Sequence, residues 1–99
     1  MLTLGEVLAL SRRSAASFDR LRLPPELASA LETAAAAEGV DARAFLRIAV
    51  ADFANAAGPG DWTRLMSKLR DSADPGSDCL TVMLERRLAE SRRRQLAED

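Results

Sequence analysis

Histidine and tyrosine are absent from the sequence, which also contains a single cysteine, Cys79, and a single lysine, Lys68. Histidine is the side chain best suited to acid–base catalysis near neutral pH and the commonest metal ligand. Without it, acid–base catalysis would depend on carboxylates, and these show no paired placement within an apolar segment. No Cys/His cluster with metal-ligand spacing exists either. We therefore predict a protein that is not an enzyme and uses no cofactor and no metal.

Long hydrophobic runs are absent as well. No apolar run approaches the roughly 20 residues that a membrane-spanning helix needs, and no positive charge precedes the first apolar residues, as a secretory signal would require. The single cysteine excludes an internal disulfide and favours a reducing compartment. We therefore expect a cytoplasmic protein that does not interact with a membrane.

The abundant residues favour helices. Hydrophobic residues, mostly alanine and leucine, make up 47% of the chain, aromatic residues 4% and charged residues 29%. This mixture is typical of soluble helical proteins. A chain of 99 residues forms one domain, and a domain of this size buries less than roughly 70% of its unfolded surface. We expect a mainly α-helical domain whose modest core a partner would help to stabilise.

Charge is distributed unevenly along the chain. The formal net charge is −1, but residues 1–23 carry +2, residues 24–61 carry −4 and residues 62–99 carry +1. Binding to nucleic-acid phosphate needs clustered lysine and arginine, so the net charge by itself argues mildly against such a ligand. The basic segment of note is the N-terminal one, which contains Arg12, Arg13, Arg20 and Arg22.

Capping and breaking residues delimit five predicted helices. Thr3 and Glu6 have the spacing of a capping box at the start of the first helix. Gly39 is a typical residue to end the second helix, and Asp41 is a typical N-cap for the third. The first three helices are predicted from about Leu4 to Arg13, from Pro24 or Pro25 to Gly39, and from Ala42 to about Ala57. The fourth begins at Asp61 and carries an apolar stripe at Trp62–Leu69. The fifth begins at Ser77 or Asp78, after a turn at Asp74–Gly76.

The stretch FDRLRL, from Phe18 to Leu23, has the alternation of a strand rather than a helix. Leu23 precedes a proline, which keeps its backbone extended. A single strand leaves its backbone groups unpaired, so we expect two copies of the chain to pair their strands in a dimer. The third predicted helix is apolar on nearly every side, which also indicates a partner.

The strand is followed by the helix entry LPPEL, by Gly39 and Val40 at a turn between helices, and by the spaced apolar residues Leu46, Ala49, Val50 and Phe53. In this combination the segment from Phe18 to Phe53 resembles the ribbon-helix-helix DNA-binding family, the relatives of the Arc and methionine repressors. The resemblance implies a ribbon-helix-helix dimer built by residues 17–57. An N-terminal helix and loop would occupy residues 1–16, and a C-terminal helical extension residues 61–99.

In that family a two-stranded ribbon enters the major groove of DNA. The resemblance therefore implies a homodimeric, sequence-specific transcriptional regulator of double-stranded DNA, such as an antitoxin that represses its own operon. It implies base contacts by Phe18, Arg20 and Arg22. It implies phosphate contacts around Asp41, Ala42 and Arg43. It implies a dimer core of Leu21, Leu23, Leu46, Ala49, Val50 and Phe53.

A helix-turn-helix is a second hypothesis that involves DNA and needs no strand. The segment AAAAEGVDARAFLRI has an alanine, Ala35, four residues before Gly39, and an apolar residue, Phe45, six residues after it. In this arrangement the second helix of the pair enters the major groove. Arg43 and Arg47 would then make the DNA contacts.

A small helical protein-interaction module without DNA binding is the other alternative. In that case Arg20 and Arg22 form a solvated face, and the chain acts as an adapter or an inhibitor. Tryptophan and methionine are enriched at interfaces, so a C-terminal stripe is the candidate surface for a toxin or another protein partner. That stripe contains Trp62, Leu65, Met66 and Leu69. The same residues would equally complete the core of the domain.

Overall fold

The computed structural model describes residues 3–98 and the side chains of residues 3–93. The elements in chain order are α1 (Leu4–Ala16), a single 3-10 turn (Phe18–Arg20), α2 (Pro25–Ala37), α3 (Ala42–Ala56), α4 (Pro59–Leu69) and α5 (Pro75–Glu98). Neither α5 nor any other helix in this part of the chain combines the length and apolarity that a membrane crossing requires.

Helix α5 is the central element of the fold. It packs against α1, α2, α3 and α4, and α3 packs in addition against α1 and α2. The apolar side chains that α5 buries most completely are Cys79, Leu80, Val82, Met83 and Leu84, all at most 1% exposed. Cys79 is fully buried. Burial raises the pKa of its thiol, although a hydrogen bond with Ser11 opposes the shift.

Local capping interactions explain where α1, α2 and α3 begin or end. Thr3 Oγ1 accepts a hydrogen bond from the Glu6 N–H at 3.1 Å, and the Glu6 carboxylate accepts one from the Thr3 N–H at 3.4 Å, so the predicted capping box is confirmed. Gly39 follows α2 with φ of 71°, a left-handed conformation that favours glycine. Asp41 caps α3, as predicted.

The predicted ribbon is wrong, because residues 3–98 contain no strand. Phe18 begins a 3-10 turn, and Leu21 to Pro24 run extended beside helices rather than beside another strand. Leu21 and Leu23 are half-buried and pack against the core of their own chain. The Arg22 N–H donates to Ser77 Oγ of α5 at 3.0 Å. The alternation of leucine therefore reflects a segment that packs on α5, and the ribbon-helix-helix fold is overturned, whereas a mainly helical chain agrees with the structure.

The apolar surface of α3 is covered by other helices of the same chain. Leu46, Ala49, Val50 and Phe53, the helical part of the expected dimer core, are at most 2% exposed within a single chain. Helices α1 and α5 pack on α3 together with α2. A helix that is apolar on nearly every side therefore needs no second copy of the chain to bury it here.

Helices α4 and α5 begin earlier than predicted. Pro59 and Pro75 are the first residues of these helices, a position that suits proline because the missing N–H has no partner there in any case. The predicted turn at Asp74–Gly76 is therefore wrong from Pro75 onward. Asp61 is the third residue of α4 rather than its cap, and its carboxylate accepts a hydrogen bond from the Gly58 N–H at 3.0 Å. That bond, with a contribution from Arg86, lowers the pKa of Asp61 below its ordinary value.

Candidate nucleic-acid interface

Helices α2 and α3 form a helix pair joined by the four residues from Glu38 to Asp41. The Val40 N–H donates to the Ala35 carbonyl at 3.0 Å, and together with the left-handed Gly39 this bond closes the end of α2. Ala35 is 2% exposed and Phe45 is fully buried. Both residues belong to the buried core of the chain, and their spacing about Gly39 is the one on which the helix-turn-helix hypothesis rests.

Arg43 and Arg47 lie on the solvent-exposed face of α3. They are four residues apart, so both guanidinium groups project from the same side of the helix in its first two turns. Neither arginine forms an ion pair with a described side chain. This face of α3 therefore presents two guanidinium groups that form no ion pair with a described carboxylate.

The carboxylates nearest to the start of α3 are engaged within the chain. Asp41 Oδ1 accepts a hydrogen bond from the Ala44 N–H at 2.7 Å. Glu38 Oε1 accepts one from the Arg87 guanidinium at 3.2 Å. Because the Asp41 side chain folds back over the helix terminus, it stabilises the positive end of the α3 dipole instead of projecting from it.

Arg87 is a buried charge that sequence reasoning missed. It is 8% exposed, and its guanidinium pairs with Asp52 of α3 at 3.0 Å and with Glu38 at 3.2 Å. It also lies over the Phe45 ring, 5.9 Å from the centroid. Burial opposes its charge, but Asp52 and Glu38 outweigh this effect and raise the pKa of Arg87. The available signal was spacing, because Arg87 follows Leu80 and Met83 at seven and four residues on the apolar stripe of α5.

A cleft of about 320 Å³ lies between α1 and α3, beside the exposed face of α3. Its lining residues are Arg12, Ala15, Arg47, Val50 and Ala51. Ala15 is fully buried and Val50 is 2% exposed, whereas both arginines are exposed. The cleft therefore has an apolar floor and two guanidinium groups as its charged groups.

The three residues that the resemblance places on a ribbon as base contacts do not lie on a strand in the structure. Phe18 is half-buried and packs against the core. Arg20 and Arg22 are exposed, Arg20 in the 3-10 turn and Arg22 in the extended segment before α2. No strand carries these three residues toward a groove, so their assignment as base contacts loses its structural basis. Of the three residues expected near phosphate, Asp41 caps α3 and Ala42 and Arg43 form its first two positions.

The residues of the candidate partner-binding stripe pack on the core of the chain. Leu65 is fully buried, and Trp62, Met66 and Leu69 are half-buried against the same core. The Trp62 ring meets the Phe53 ring edge to face, with centroids 4.9 Å apart and planes inclined by 78°. Much of the apolar surface of this stripe therefore stabilises α4 against the other helices.

Comparison with protein-family models, with curated proteins and with solved structures finds no match to this chain.

Proposed function

We propose that the protein is a DNA-binding transcriptional regulator that contacts the major groove through α3. The observation that carries this proposal is the pair of exposed arginines, Arg43 and Arg47, near the start of α3, which is the second helix of the hypothesised helix-turn-helix. In this class of motif, residues near the N-terminus of the second helix contact base edges, while the first helix crosses the DNA backbone. In this arrangement α3 contacts the DNA, and no ribbon is involved. It also implies a cytoplasmic protein.

Arginine is suited to this role because its planar guanidinium donates two parallel hydrogen bonds to guanine O6 and N7. Ile48 follows Arg47 on α3 and is 37% exposed. Ile48 lies about 100° around the helix axis from Arg47, still on the exposed side of α3, and an apolar side chain there suits contact with a thymine methyl group. The exposed side of α3 therefore carries side chains suited to both guanine and thymine.

The distribution of charge also supports the proposal despite a net charge of −1. Six exposed arginines occur between residues 12 and 47, and none of them pairs with a described carboxylate. After residue 61, Arg64, Arg86 and Arg87 are engaged in ion pairs, whereas Arg70, Arg92 and Arg93 are exposed and pair with no described carboxylate. Unpaired arginine is therefore plentiful in the part of the chain that includes the proposed interface.

The first experiment is selection of binding sites from a pool of randomised DNA duplexes, followed by measurement of affinity by fluorescence anisotropy. We expect enrichment of an inverted repeat, because helix-turn-helix proteins bind as dimers to half-sites about 34–36 Å apart. Arg43→Ala and Arg47→Ala should each weaken binding to the enriched site by about 5- to 150-fold, since one bidentate contact is worth about 1–3 kcal/mol. Circular dichroism would verify that the variants fold.

The matched control is the double variant Arg20→Gln/Arg22→Gln, which removes two exposed arginines from the segment before α2. It should bind the enriched site far better than Arg43→Gln/Arg47→Gln, although both double variants lose the same charge. If no sequence is enriched, or if the α3 arginines prove neutral while Arg20 and Arg22 are essential, contact through α3 is wrong.

A further inference from the structure

Two arginines from different helices meet at the cleft between α1 and α3. Arg12 belongs to α1 and Arg47 to α3, and both line this cleft above the floor that Ala15 and Val50 provide. Ala15 and Ala51 are the small residues of the lining, one from each helix. Helix packing therefore brings a third arginine next to the proposed DNA-contacting face of α3.

The cleft has the chemical character of an anion site. Arg12 and Arg47 pair with no described carboxylate, and an anion between two guanidinium groups interacts favourably with both. The floor residues are apolar, so the guanidinium groups supply the hydrogen-bond donors of the lining side chains. A group that only accepts hydrogen bonds fits such a cleft, and a phosphodiester is such a group.

We propose that Arg12 binds a phosphate of the DNA backbone, next to the groove that α3 enters. This inference rests on the proposed function and extends it, because it assigns a second helix, α1, to the DNA interface. The cleft places Arg12 beside Arg47, so the DNA strand that borders the major groove would pass over α1. In this arrangement Arg12 fixes the position of the duplex and contributes no sequence preference.

The test compares Arg12→Gln with Arg13→Gln. Arg13 is the matched control because it is adjacent on α1, also exposed and absent from the lining of the cleft. Affinity is measured by anisotropy over a range of salt concentrations, with both the enriched site and a random duplex. Arg12→Gln should weaken binding to both duplexes by the same factor, about 3- to 10-fold, and reduce the slope of log K against log salt by about 0.9. Arg13→Gln should leave affinity and slope close to those of the unaltered protein.

Four outcomes would overturn the assignment of Arg12. Equal effects of the two variants would indicate general electrostatic attraction rather than a site. A change in sequence preference on loss of Arg12 would indicate a base contact. If the unaltered protein binds DNA and Arg12→Gln binds as well as it does, Arg12 has no role while the proposed function stands. If the unaltered protein binds neither duplex, the proposed function itself fails, and the assignment of Arg12 fails with it.

Discussion

At the scale of single residues, Arg87 connects α5 to α3 and to the end of α2 through ion pairs. From α5, its guanidinium forms ion pairs with Glu38, the residue that follows α2, and with Asp52 of α3. The side chain of Arg87 is 10% exposed, whereas those of Glu38 and Asp52 are 35% and 32% exposed. The two carboxylates therefore keep part of their hydration, and most of the cost of burying charge falls on the arginine.

Replacement of Arg87 by methionine should destabilise the protein by about 2–3 kcal/mol, below the range of about 3–5 kcal/mol for breaking a fully buried ion pair. Two carboxylates lose their partner, but water still reaches them. Urea denaturation followed by circular dichroism measures the change. Arg93→Met, at an exposed position of α5, is the matched control and should change stability by less than about 0.5 kcal/mol.

The combined variant Glu38→Gln/Asp52→Asn/Arg87→Met should recover much of the loss, because no unpaired charge remains. If Arg87→Met and Arg93→Met have the same stability, the buried pairs contribute nothing to the fold. In that case the position of α3 would depend on apolar packing alone.

At the scale of helices, α4 and α5 begin with the same dipeptide in different surroundings. Gly60 and Gly76 each follow the first-turn proline of their helix. A Cβ added to Gly60 would meet no atom within 4 Å, whereas one added to Gly76 would overlap the Ser14 side chain of α1. The glycine in α5 therefore permits the close approach of α1 and α5, and the glycine in α4 has no such role.

Alanine at the two positions should consequently change stability in opposite directions. Gly60→Ala should stabilise the protein by about 0.5–1 kcal/mol, because alanine favours helix over the unfolded chain. Gly76→Ala should destabilise it by about 1–3 kcal/mol through overpacking against Ser14. Thermal unfolding of the two variants side by side gives the signs.

The double variant Ser14→Ala/Gly76→Ala tests the cause, because it removes the hydroxyl that the new Cβ would overlap. It should recover part of the loss caused by Gly76→Ala. Stabilisation by alanine at both glycines would mean that α1 and α5 do not approach closely at this point.

The sequence predicted those features of the helices that depend on neighbouring residues. The capping box at Thr3, the end of α2 at Gly39 and the cap at Asp41 are interactions within a few residues, and local spacing is enough to recognise them. The starts of α4 and α5 were missed because proline followed by glycine is compatible both with a turn and with the first turn of a helix.

Features that depend on contacts distant in sequence were not predicted. The alternation from Arg20 to Leu23 has the period of a strand, but the leucines pack on the core and the Arg22 N–H bonds to Ser77, 55 residues away. For the candidate site, helix-turn-helix spacing suggested Arg43 and Arg47, and both are exposed in the structure. The place of Arg12 beside Arg47 follows from the crossing of α1 and α3, which no local pattern encodes.

At the scale of the whole molecule, the five helices form one compact unit. The radius of gyration of the Cα atoms is 13.0 Å, close to the roughly 12.6 Å expected for a single domain of this length. One cluster of buried apolar residues takes members from all five helices, including Val7 of α1, Leu31 of α2, Phe45 of α3, Leu65 of α4 and Leu84 of α5. The core is thus complete within one chain.

Because the core is complete within one chain, we predict that folding does not require a second copy of the chain. In a ribbon-helix-helix dimer the shared strands and helices would make folding and dimerisation inseparable, and the unfolding midpoint would rise with protein concentration. Here the midpoint in urea should stay constant over about a hundredfold range of concentration, since the unfolding unit is the monomer. A dimer that binds an inverted repeat would then assemble from chains that are already folded. A midpoint that rises with concentration would contradict this prediction and would mean that part of the stabilising surface lies between two copies.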